Sequence, residues 1–396
     1  MEKPKIRFLK NKHSWVRNTF EEIAKRRTKS SDNPDLPRIE YQDIISGEGR
    51  LNKDLNKNID CRKGIVFETN DILYGKLRPY LKNWLHPNFN GIALGDFWVL
   101  QARNCDSKFL FSLVQSPKFQ RVANDTSGTK MPRSDWKTVS QTEFSIPTSN
   151  EEQSAIGSLF RTLDDLLSSY KDNLANYQSL KATMLSKMFP KAGQTVPEIR
   201  LAGFKGEWEI NKLNKYLAVS KQKNTQLKFD KEDVLSVSGE FGIINQIQFQ
   251  GRSFAGASVE MYSIVDTGNI VYTKSPLKAS PYGIIKTNYG IPGIVSTLYA
   301  VYLPNENVFP GFVERYFEND LRLNSYLKPL VNKGAKNDMK VSDENALLGA
   351  VIFPQLEEQV AISDYFTNLD KFIQSHKDKI SQLETLKKKL LQNMFI

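Results

Sequence analysis

The chain has 396 residues, of which 40% are apolar and 11% aromatic, and this favours folded domains with more than one core over disorder. Two cysteines, Cys61 and Cys105, and three histidines suggest neither a disulfide framework nor a zinc site, so a cytoplasmic protein is expected. The net charge of +11 favours a polyanionic partner such as nucleic acid, with simple solubility as the alternative.

No apolar run approaches the roughly 18 residues that a membrane helix requires, and the first residues lack the apolar core of a signal peptide. Neither a membrane span nor a secretory signal is therefore expected. The positive charge is unevenly distributed. Residues 1–146 carry a net +9 and residues 190–352 a net +3, whereas 147–189 and 353–396 are nearly neutral.

The first 146 residues contain short strand-like runs broken by Gly, Pro and Asn, such as GIVFET (64–69), DILYGKLRPYL (71–81) and GIALGDFWVLQA (91–102). A helix is predicted at Ser107–Gln115. Residues 190–352 repeat the plan with EDVLSVSG (232–239), GNIVYTKSPLK (268–278) and GIVSTLYAVYL (293–303), and a helix is predicted at 312–327. Each half is expected to be one α+β domain.

Short matches relate the halves. Ile-Arg-Phe at 6–8 with Trp15 corresponds to Ile-Arg-Leu at 199–201 with Trp208. NDILYGK (70–76) corresponds to GNIVYTK (268–274), and TSGTK (126–130) to NKGAK (332–336). We predict a tandem repeat with domains at 1–146 and 190–352, each followed by a long helical segment, at 147–189 and 353–396.

The helical segments are the clearest repeat, because 151–189 recurs without a gap as 357–395 with 16 of 39 positions identical. Apolar residues recur at alternating steps of four and three, which is a coiled-coil pattern. One polar residue, Lys181 or Lys387, interrupts each seam. The predicted seam consists of Ile156, Phe160, Leu163, Leu167, Tyr170, Leu174 and Tyr177 in the first copy and Ile362, Phe366, Leu369, Ile373, His376, Ile380 and Leu383 in the second.

An amphipathic helix of this length needs a partner for its apolar stripe. Pairing with the other copy in the same chain is favoured by the duplication, and pairing between chains is the alternative. At about 1.5 Å per residue, each helix is expected to extend over roughly 58 Å.

No catalytic or cofactor-binding motif stands out. The sequence has no GxxxxGK[ST] loop, no GxGxxG after a strand and no NPP[FY] motif. Asp-x-Lys triplets begin at Asp106, Asp135 and Asp338, but such triplets arise by chance in a lysine-rich chain. His13, His86 and His376 have no metal-ligand spacing, and we interpret Glu151–Glu152 and Asp164–Asp165 as capping and docking residues. The chain is not expected to be an enzyme or to bind a metal.

The order of these features resembles the specificity subunit of a type I restriction–modification enzyme. A strand leads into Tyr-x-Lys, followed by a Gly-x-Lys loop, a Pro…Glu-Glu-Gln lead and a long helix, and all four occur twice. The resemblance covers essentially the whole chain and implies two tandem target recognition domains, separated by the repeated helices as an antiparallel intramolecular coiled coil.

The resemblance also implies double-stranded DNA as ligand and two modification (methyltransferase) subunits as partners, with restriction (motor-nuclease) subunits in the full complex. It implies no cofactor on this chain, since S-adenosylmethionine, ATP and Mg are expected on the partner subunits. A free-standing tandem-domain DNA-binding protein or repressor is the alternative, and a self-contained modification enzyme is a third possibility.

Two loops in each half are candidates for DNA contact, because small residues beside bases allow close approach to phosphate. Ordinary polar surface turns are the alternative. The predicted residues are Lys76, Arg78, Tyr80, Lys82, Asn83, Ser127, Thr129, Lys130 and Arg133 in the first half, and Lys274, Ser275, Lys278, Lys333, Lys336 and Asn337 in the second. Arg26–Arg27 and Lys221 with Lys223 are further candidates for backbone contacts.

The halves differ strongly outside these anchors, so an asymmetric bipartite target is expected, with one half-site for each domain. If the helices set the spacing, half-sites on one face of the duplex lie about one helical turn apart, roughly 34–36 Å. Lengthening a helix, for example by four residues, is then expected to change the gap and leave the half-sites unchanged.

Overall fold

The computed structural model describes residues 4–8, 14–52, 61–125, 131–277, 280–333 and 339–395. They are organised as two units: the first contains Met1–Leu174 with Ser375–Ile396, and the second contains Ala175–Gln374. Each unit consists of an α+β domain and parts of two long helices. The predicted fold class is confirmed.

The first domain is built on two four-stranded sheets, in the orders β2-β11-β8-β9 and β3-β7-β10-β4, and on the antiparallel pairs β1-β12 and β5-β6. The strands are β1 (Trp15–Thr19), β2 (Ala24–Arg26), β3 (Ser30–Ser31), β4 (Arg38–Ile39), β5 (Ile44–Ile45), β6 (Arg50–Leu51), β7 (Gly64–Phe67), β8 (Ile72–Gly75), β9 (Trp84–Leu85), β10 (Gly91–Ala93), β11 (Phe97–Ala102) and β12 (Glu143–Pro147). The short helices are α1 (Phe20–Ile23), α2 (Ser107–Gln115), α3 (Pro117–Ala123) and α4 (Trp136–Gln141).

The first long helix, α5 (Asn150–Lys187), follows β12 directly. The second domain then repeats the sheet of the first in the order β14-β21-β18-β19, together with four two-stranded sheets. Its strands are β13 (Glu209–Lys212), β14 (Leu217–Val219), β15 (Leu235–Ser238), β16 (Gly242–Asn245), β17 (Ser263–Val265), β18 (Ile270–Thr273), β19 (Ile285–Thr287), β20 (Gly293–Val295), β21 (Tyr299–Pro304), β22 (Asn332–Lys333), β23 (Met339–Lys340) and β24 (Ala350–Phe353).

The helices of the second domain are α6 (Gln246–Gln250), α7 (Pro310–Phe317) and α8 (Asp320–Leu327), and the second long helix is α9 (Leu356–Met394). The helix predicted at Ser107–Gln115 is confirmed as α2. The prediction of one helix over 312–327 is wrong, because the chain forms two helices there. Asn319 begins α8 as its N-cap and accepts a hydrogen bond from Arg322 N, which stabilises a new helix start at that residue.

Both long helices contribute to both cores. In the first unit, the Phe395 ring lies 5.3 Å from that of Phe109 on α2 and 5.8 Å from that of Phe160 near the start of α5. The end of α9 therefore packs beside the start of α5, so the two segments run antiparallel. The second unit has the same arrangement, with Phe189 5.8 Å from Phe312 and 6.1 Å from Phe366.

The Glu-Glu-Gln sequence at the start of each long helix forms hydrogen bonds with the adjacent domain. The guanidinium of Arg7 donates two hydrogen bonds to the buried Glu152 carboxylate, at 2.6 and 2.7 Å. Arg200 does the same to Glu358, at 2.8 and 2.7 Å. Bidentate pairs of this kind are among the strongest hydrogen bonds that side chains make, so the chain preceding each domain is held against the start of the helix that follows it.

The adjacent glutamines extend the same connection. The Gln153 side chain donates to Pro147 O (2.7 Å) and accepts from Asp106 N (2.8 Å). Gln359 likewise donates to Pro354 O (2.9 Å) and accepts from Phe309 N (2.9 Å). Each glutamine thus joins the strand before its long helix to the start of a domain helix.

Replacing Glu358 with Gln is expected to destabilise the protein by about 2–4 kcal/mol, because the half-buried guanidinium of Arg200 loses its buried counter-charge. The exposed neighbour provides a matched control, since Glu357→Gln should stay within about 0.5 kcal/mol of the parent. Urea unfolding followed by circular dichroism measures both variants. Equal midpoints for the two variants would show that the Arg200–Glu358 pair contributes no net stability.

Candidate nucleic-acid interface

The two candidate loops of the first unit lie side by side. Arg78 N donates to Pro132 O (2.7 Å), and Ser134 N donates to Lys76 O (2.8 Å). Leu77 also forms an antiparallel bridge with Arg133. The structure thus brings together two predicted loops that are about 50 residues apart in sequence. Ser127, Thr129 and Lys130 lie outside the described residues.

The tip of the first loop is exposed and has an unusual backbone. A single 3₁₀ turn at Pro79–Leu81 is flanked by Arg78 (φ 50°) and Lys82 (φ 55°), both in the left-handed conformation. Side chains other than glycine adopt this conformation at a cost, because Cβ approaches the carbonyl oxygen. Arg78, Tyr80 and Lys82 are exposed, and Asn83 is buried.

The base of the loop is held by a carboxylate. Asp96 pairs with Arg133 (2.9 Å) and Lys76 (3.7 Å), and its carbonyl accepts a hydrogen bond from the Tyr41 hydroxyl (2.5 Å). Burial raises the pKa of Tyr41 to about 12, so the hydroxyl remains a donor at neutral pH. Lys76 and Arg133 are therefore held at the loop base, while the three exposed side chains form the tip.

In the second unit, the equivalent lysine also has an acidic partner. Lys274 Nζ lies 2.8 Å from a carboxylate oxygen of Asp343, shortly after the β22–β23 hairpin. This contact joins the predicted Tyr-x-Lys loop to the segment that follows the predicted Gly-x-Lys loop. Ser275 is half-buried, and Lys333 is the last residue of β22. Lys278, Lys336 and Asn337 lie outside the described residues.

The early basic residues have structural contacts. Arg27 pairs with Asp71 (2.6 Å) and Glu68 (2.7 Å), and the Arg26 guanidinium lies 4.2 Å from the centre of a Trp136 ring. Lys223 donates to Ser263 Oγ at 2.8 Å. These contacts account for Arg26, Arg27 and Lys223 without a ligand, whereas Lys221 is exposed.

An exposed aromatic group in the second unit was missed by the sequence analysis. Phe241 and Phe249 are 58% and 40% exposed, and their rings are 5.7 Å apart. Arg252 stacks on the exposed Phe254 at 4.6 Å. In the sequence, phenylalanine alternates with Asn and Gln over 241–254, and the first half has no corresponding segment. This pattern could have indicated the exposed aromatic group.

The predicted seam residues all lie at buried or half-buried positions of α5 and α9. Tyr170 and His376 contact each other at 5.4 Å between ring centres, in keeping with the packing role expected for this histidine. The exposed faces of the helices still carry apolar side chains, Leu166, Leu180, Phe372 and Leu386.

The polar seam lysines form ion pairs. In the first unit, Lys387 contacts Asp164 (2.6 Å) and Gln115 of α2 (2.8 Å). Burial raises the pKa of Asp164, and Lys387 only partly offsets this effect. In the second unit, Lys181 contacts both Asp370 and Glu318 at 2.5 Å.

Arg315 of α7 extends the second network, with distances of 2.7 Å to Asp370 and 2.8 Å to Glu318. Burial acts to raise the pKa of Glu318, but Arg315 and Lys181 outweigh it, so the net direction is downward. Glu318 is therefore ionised at neutral pH. These carboxylates join the helix pair to a domain helix, which is a structural role.

Three other residues that the sequence analysis considered for chemistry have structural contacts. Asp106 and Asp135 are N-caps of α2 and α4, and His86 stacks on Phe111 with its pKa lowered to about 4 by burial. His13 and Asp338 lie outside the described residues. In the described part of the chain, no three His, Cys, Asp or Glu side chains converge as metal ligands. No helix there has the length and apolar character needed to cross a membrane.

No family model matches the chain. A curated relative, the type I restriction enzyme EcoDI specificity subunit from Escherichia coli, is 25% identical over 189 residues. The match covers 46% of this chain and 42% of the relative, so the chain spans less than half the length of that protein.

Solved structures resemble the chain over nearly its full length. The type I restriction–modification S subunit from M. genitalium matches with a TM-score of 0.60 at 15% identity, covering 100% of this chain and 99% of that one. The HsdS subunit from Thermoanaerobacter tengcongensis has a TM-score of 0.46 at 18% identity, with 96% and 95% covered. The resemblance to type I restriction–modification specificity subunits is confirmed, in sequence by the E. coli relative and in fold by the M. genitalium structure.

Proposed function

We propose that this chain is the DNA-recognition subunit of a type I restriction–modification complex. The observation that carries the proposal is the duplication of one framework: each unit contains the same sheet order, and the second strand from one edge ends in a lysine-bearing loop. Two such loops with different side chains suit two different half-sites, and the sequence likeness to a specificity subunit supports the same role.

In the first half-site, the tip residues Arg78, Tyr80 and Lys82 contact the DNA. Their cations bind phosphates, which supply most of the affinity, and the tyrosine reaches base edges. Lys76 and Arg133, held by Asp96, orient the loop. In the second half-site, the Lys274 loop and the hairpin next to Asp343 take these roles.

Catalysis and its cofactors belong to the partner subunits in this proposal. Two modification subunits bind S-adenosylmethionine, and restriction subunits bind ATP and Mg. The exposed apolar side chains of α5 and α9 suit docking of the modification subunits, and the chain itself acts as a non-catalytic scaffold inside the cytoplasm.

Methylome sequencing of host DNA with the gene intact, deleted and restored tests this function. Deletion is expected to abolish methylation of one split, asymmetric motif, and restoration should return it. Loss of the motif assigns the specificity role and gives both half-sites. An unchanged methylome in a host that contains the modification subunit would overturn the proposal and favour the free-standing repressor.

Two variants, Lys82→Gly and Lys82→Ala, distinguish the cost of the strained backbone at Lys82 from the loss of its DNA contact. Both variants remove one phosphate contact, so the slope of log affinity against log salt should fall by about one for each. Glycine suits the left-handed backbone, so Lys82→Gly should be about 1 kcal/mol more stable than Lys82→Ala. Salt titrations of DNA binding by the complex and urea unfolding provide the measurements. Unchanged salt slopes would remove Lys82 from the interface.

The length of the helix pair is proposed to set the gap between half-sites. Seven-residue insertions after both Leu174 and Gln374 lie at the unit boundaries, and they keep the heptad phase within each unit. They add about 10 Å of helix, which corresponds to about three base pairs. The methylated motif should therefore gain about three unread pairs while its half-sites stay the same.

Insertion in α5 alone is the matched control, because it shifts the register of one helix against the other and should reduce methylation. A restored motif with the original spacing in the doubly extended protein would contradict the role of the helices as a ruler.

A further inference from the structure

The β15–β16 hairpin of the second unit has an exposed aromatic side chain in its turn. Phe241 lies in this turn and is 58% exposed. Its ring is 5.7 Å from that of Phe249 on α6, which is 40% exposed. Contiguous exposed apolar surface commonly marks a site of interaction. The pair is therefore a candidate contact surface, and its position in the fold indicates what it contacts.

The backbone that carries the two rings is held by hydrogen bonds. Asn245 is the N-cap of α6 and accepts from Ile247 N (3.0 Å) and Gln248 N (3.2 Å). Its amide group donates to Glu232 O (2.6 Å), which connects the start of α6 to the 3₁₀ turn before β15. Phe249 thus lies on an ordered element and supports Phe241 from one side.

The first unit has a corresponding hairpin, β5–β6. Each hairpin follows a 3₁₀ turn whose last residue, Asp43 or Asp233, accepts a hydrogen bond from the backbone N–H three residues earlier. The hairpin turns read Ser-Gly-Glu-Gly at 46–49 and Ser-Gly-Glu-Phe-Gly at 238–242, so the phenylalanine is an added residue. In the first unit this turn contacts the proposed DNA-binding tip, because Gly47 N donates to Lys82 O (3.0 Å).

Strand direction places the β15–β16 turn near the Lys274 loop as well. Val234 forms a parallel bridge with Ile294, so β15 runs in the same direction as the chain that follows Ile294. That direction leads to the Lys274 loop, because Lys274 N donates to Leu298 O (2.8 Å). Phe241 follows the end of β15, so it lies at the same end of the domain as this loop.

A second contact supports this placement. Burial raises the pKa of Tyr299, and a hydrogen bond from the Val237 backbone reduces the shift. Tyr299 pairs with Thr273, the residue before Lys274. Because Val237 is the next-to-last residue of β15, the hairpin reaches the strand end at which the Lys274 loop begins.

The composition of the turn and of α6 favours contact with bases over contact with phosphates. Residues 239–250 contain no lysine or arginine, and Glu240 is their one charged residue. Phosphates bind mainly to cationic side chains. Phenylalanine instead contacts the bases of DNA, either at a thymine methyl group or by insertion between base steps.

We propose that Phe241, supported by Phe249, contacts bases of the second half-site and helps to determine its sequence. This inference rests on the proposed DNA-recognition function and refines it, since the Lys274 loop then holds the DNA backbone while the β15–β16 turn reads bases. The first unit has no phenylalanine in its turn and exposes Tyr80 from the loop itself. The two units thus present an aromatic side chain to DNA from different elements.

DNA binding by the complex of this chain with the modification subunit tests the inference, with a duplex that carries the methylated motif. Phe241→Ala should weaken binding about tenfold, because the contact with the bases is lost. The slope of log affinity against log salt should stay the same, because no phosphate contact is removed. Ile210→Ala removes a similarly exposed apolar side chain from β13, and this control should change the affinity by less than about twofold.

Duplexes with single base-pair changes in the motif locate the contact. In the Phe241→Ala complex, changes at one or more positions of one half-site should weaken binding less than they do in the parent complex. Changes in the other half-site should keep their full effect, which provides an internal control. Equal loss of discrimination in both half-sites would contradict a base contact made by one unit.

The outcomes separate this inference from the proposed function. A parent complex that does not distinguish its motif from other DNA would overturn the DNA-recognition role, and this inference with it. If the parent distinguishes the motif and Phe241→Ala binds with the same affinity and discrimination, only the assignment of Phe241 is overturned. Release of the modification subunit from the Phe241→Ala complex in size-exclusion chromatography would also overturn it, because the turn would then be a protein-docking surface.

Discussion

The ion pair at the one polar position of each helical seam determines how the rest of the structure is arranged. An apolar seam alone permits several registers, because every leucine or isoleucine fits the next position almost as well. Lys387 and Lys181 remove this freedom, since each meets an aspartate on the facing helix segment, Asp164 or Asp370, at 2.6 or 2.5 Å. Any other register would leave a partly buried lysine and aspartate without partners, which is unfavourable. The antiparallel register is thereby fixed twice, once in each unit.

The same residues connect the helices to the domains, and this explains why the helix sequence is repeated. Lys387 contacts Gln115 at the end of α2, and Lys181 contacts Glu318 just after α7. Glu152 and Glu358 each accept two hydrogen bonds from an arginine at the start of a domain, Arg7 or Arg200. Gln153 and Gln359 each donate to the proline that precedes the long helix. Because each helix contacts one domain near its start and the other near its end, both copies must carry both sets of contacts.

Features of the fold that depend on residues close in sequence could be predicted, whereas features that depend on contacts between distant residues could not. The helices and their seam were readable because their period is local, and α2 was predicted at its observed bounds. The break between α7 and α8 was missed because it depends on Asn319, whose side chain accepts a hydrogen bond from Arg322 N and begins a second helix there. The pairing of Lys76 with Asp96 and of Lys274 with Asp343 depends on tertiary contacts, so the sequence could not show that these lysines are engaged. The burial of Asn83 and the exposed phenylalanines near 241–254 likewise depend on the folded surface.

Backbone strain in the first-unit loop distinguishes the sheet framework from the proposed recognition surface. Arg78 and Lys82 both have positive φ, at a cost of order 1–3 kcal/mol each, whereas no described residue of the equivalent second-unit loop, 274–277, has positive φ. Both loops follow corresponding strands of sheets with the same order, so the sheet does not require this conformation. What the left-handed residues achieve is a tight turn that leaves Arg78, Tyr80 and Lys82 exposed above a base held by Asp96. Contact with DNA phosphates would offset that cost. Because the loop does not contribute to the contacts that hold the helix pair, its sequence can differ between the two units, as the proposed reading of two different half-sites requires.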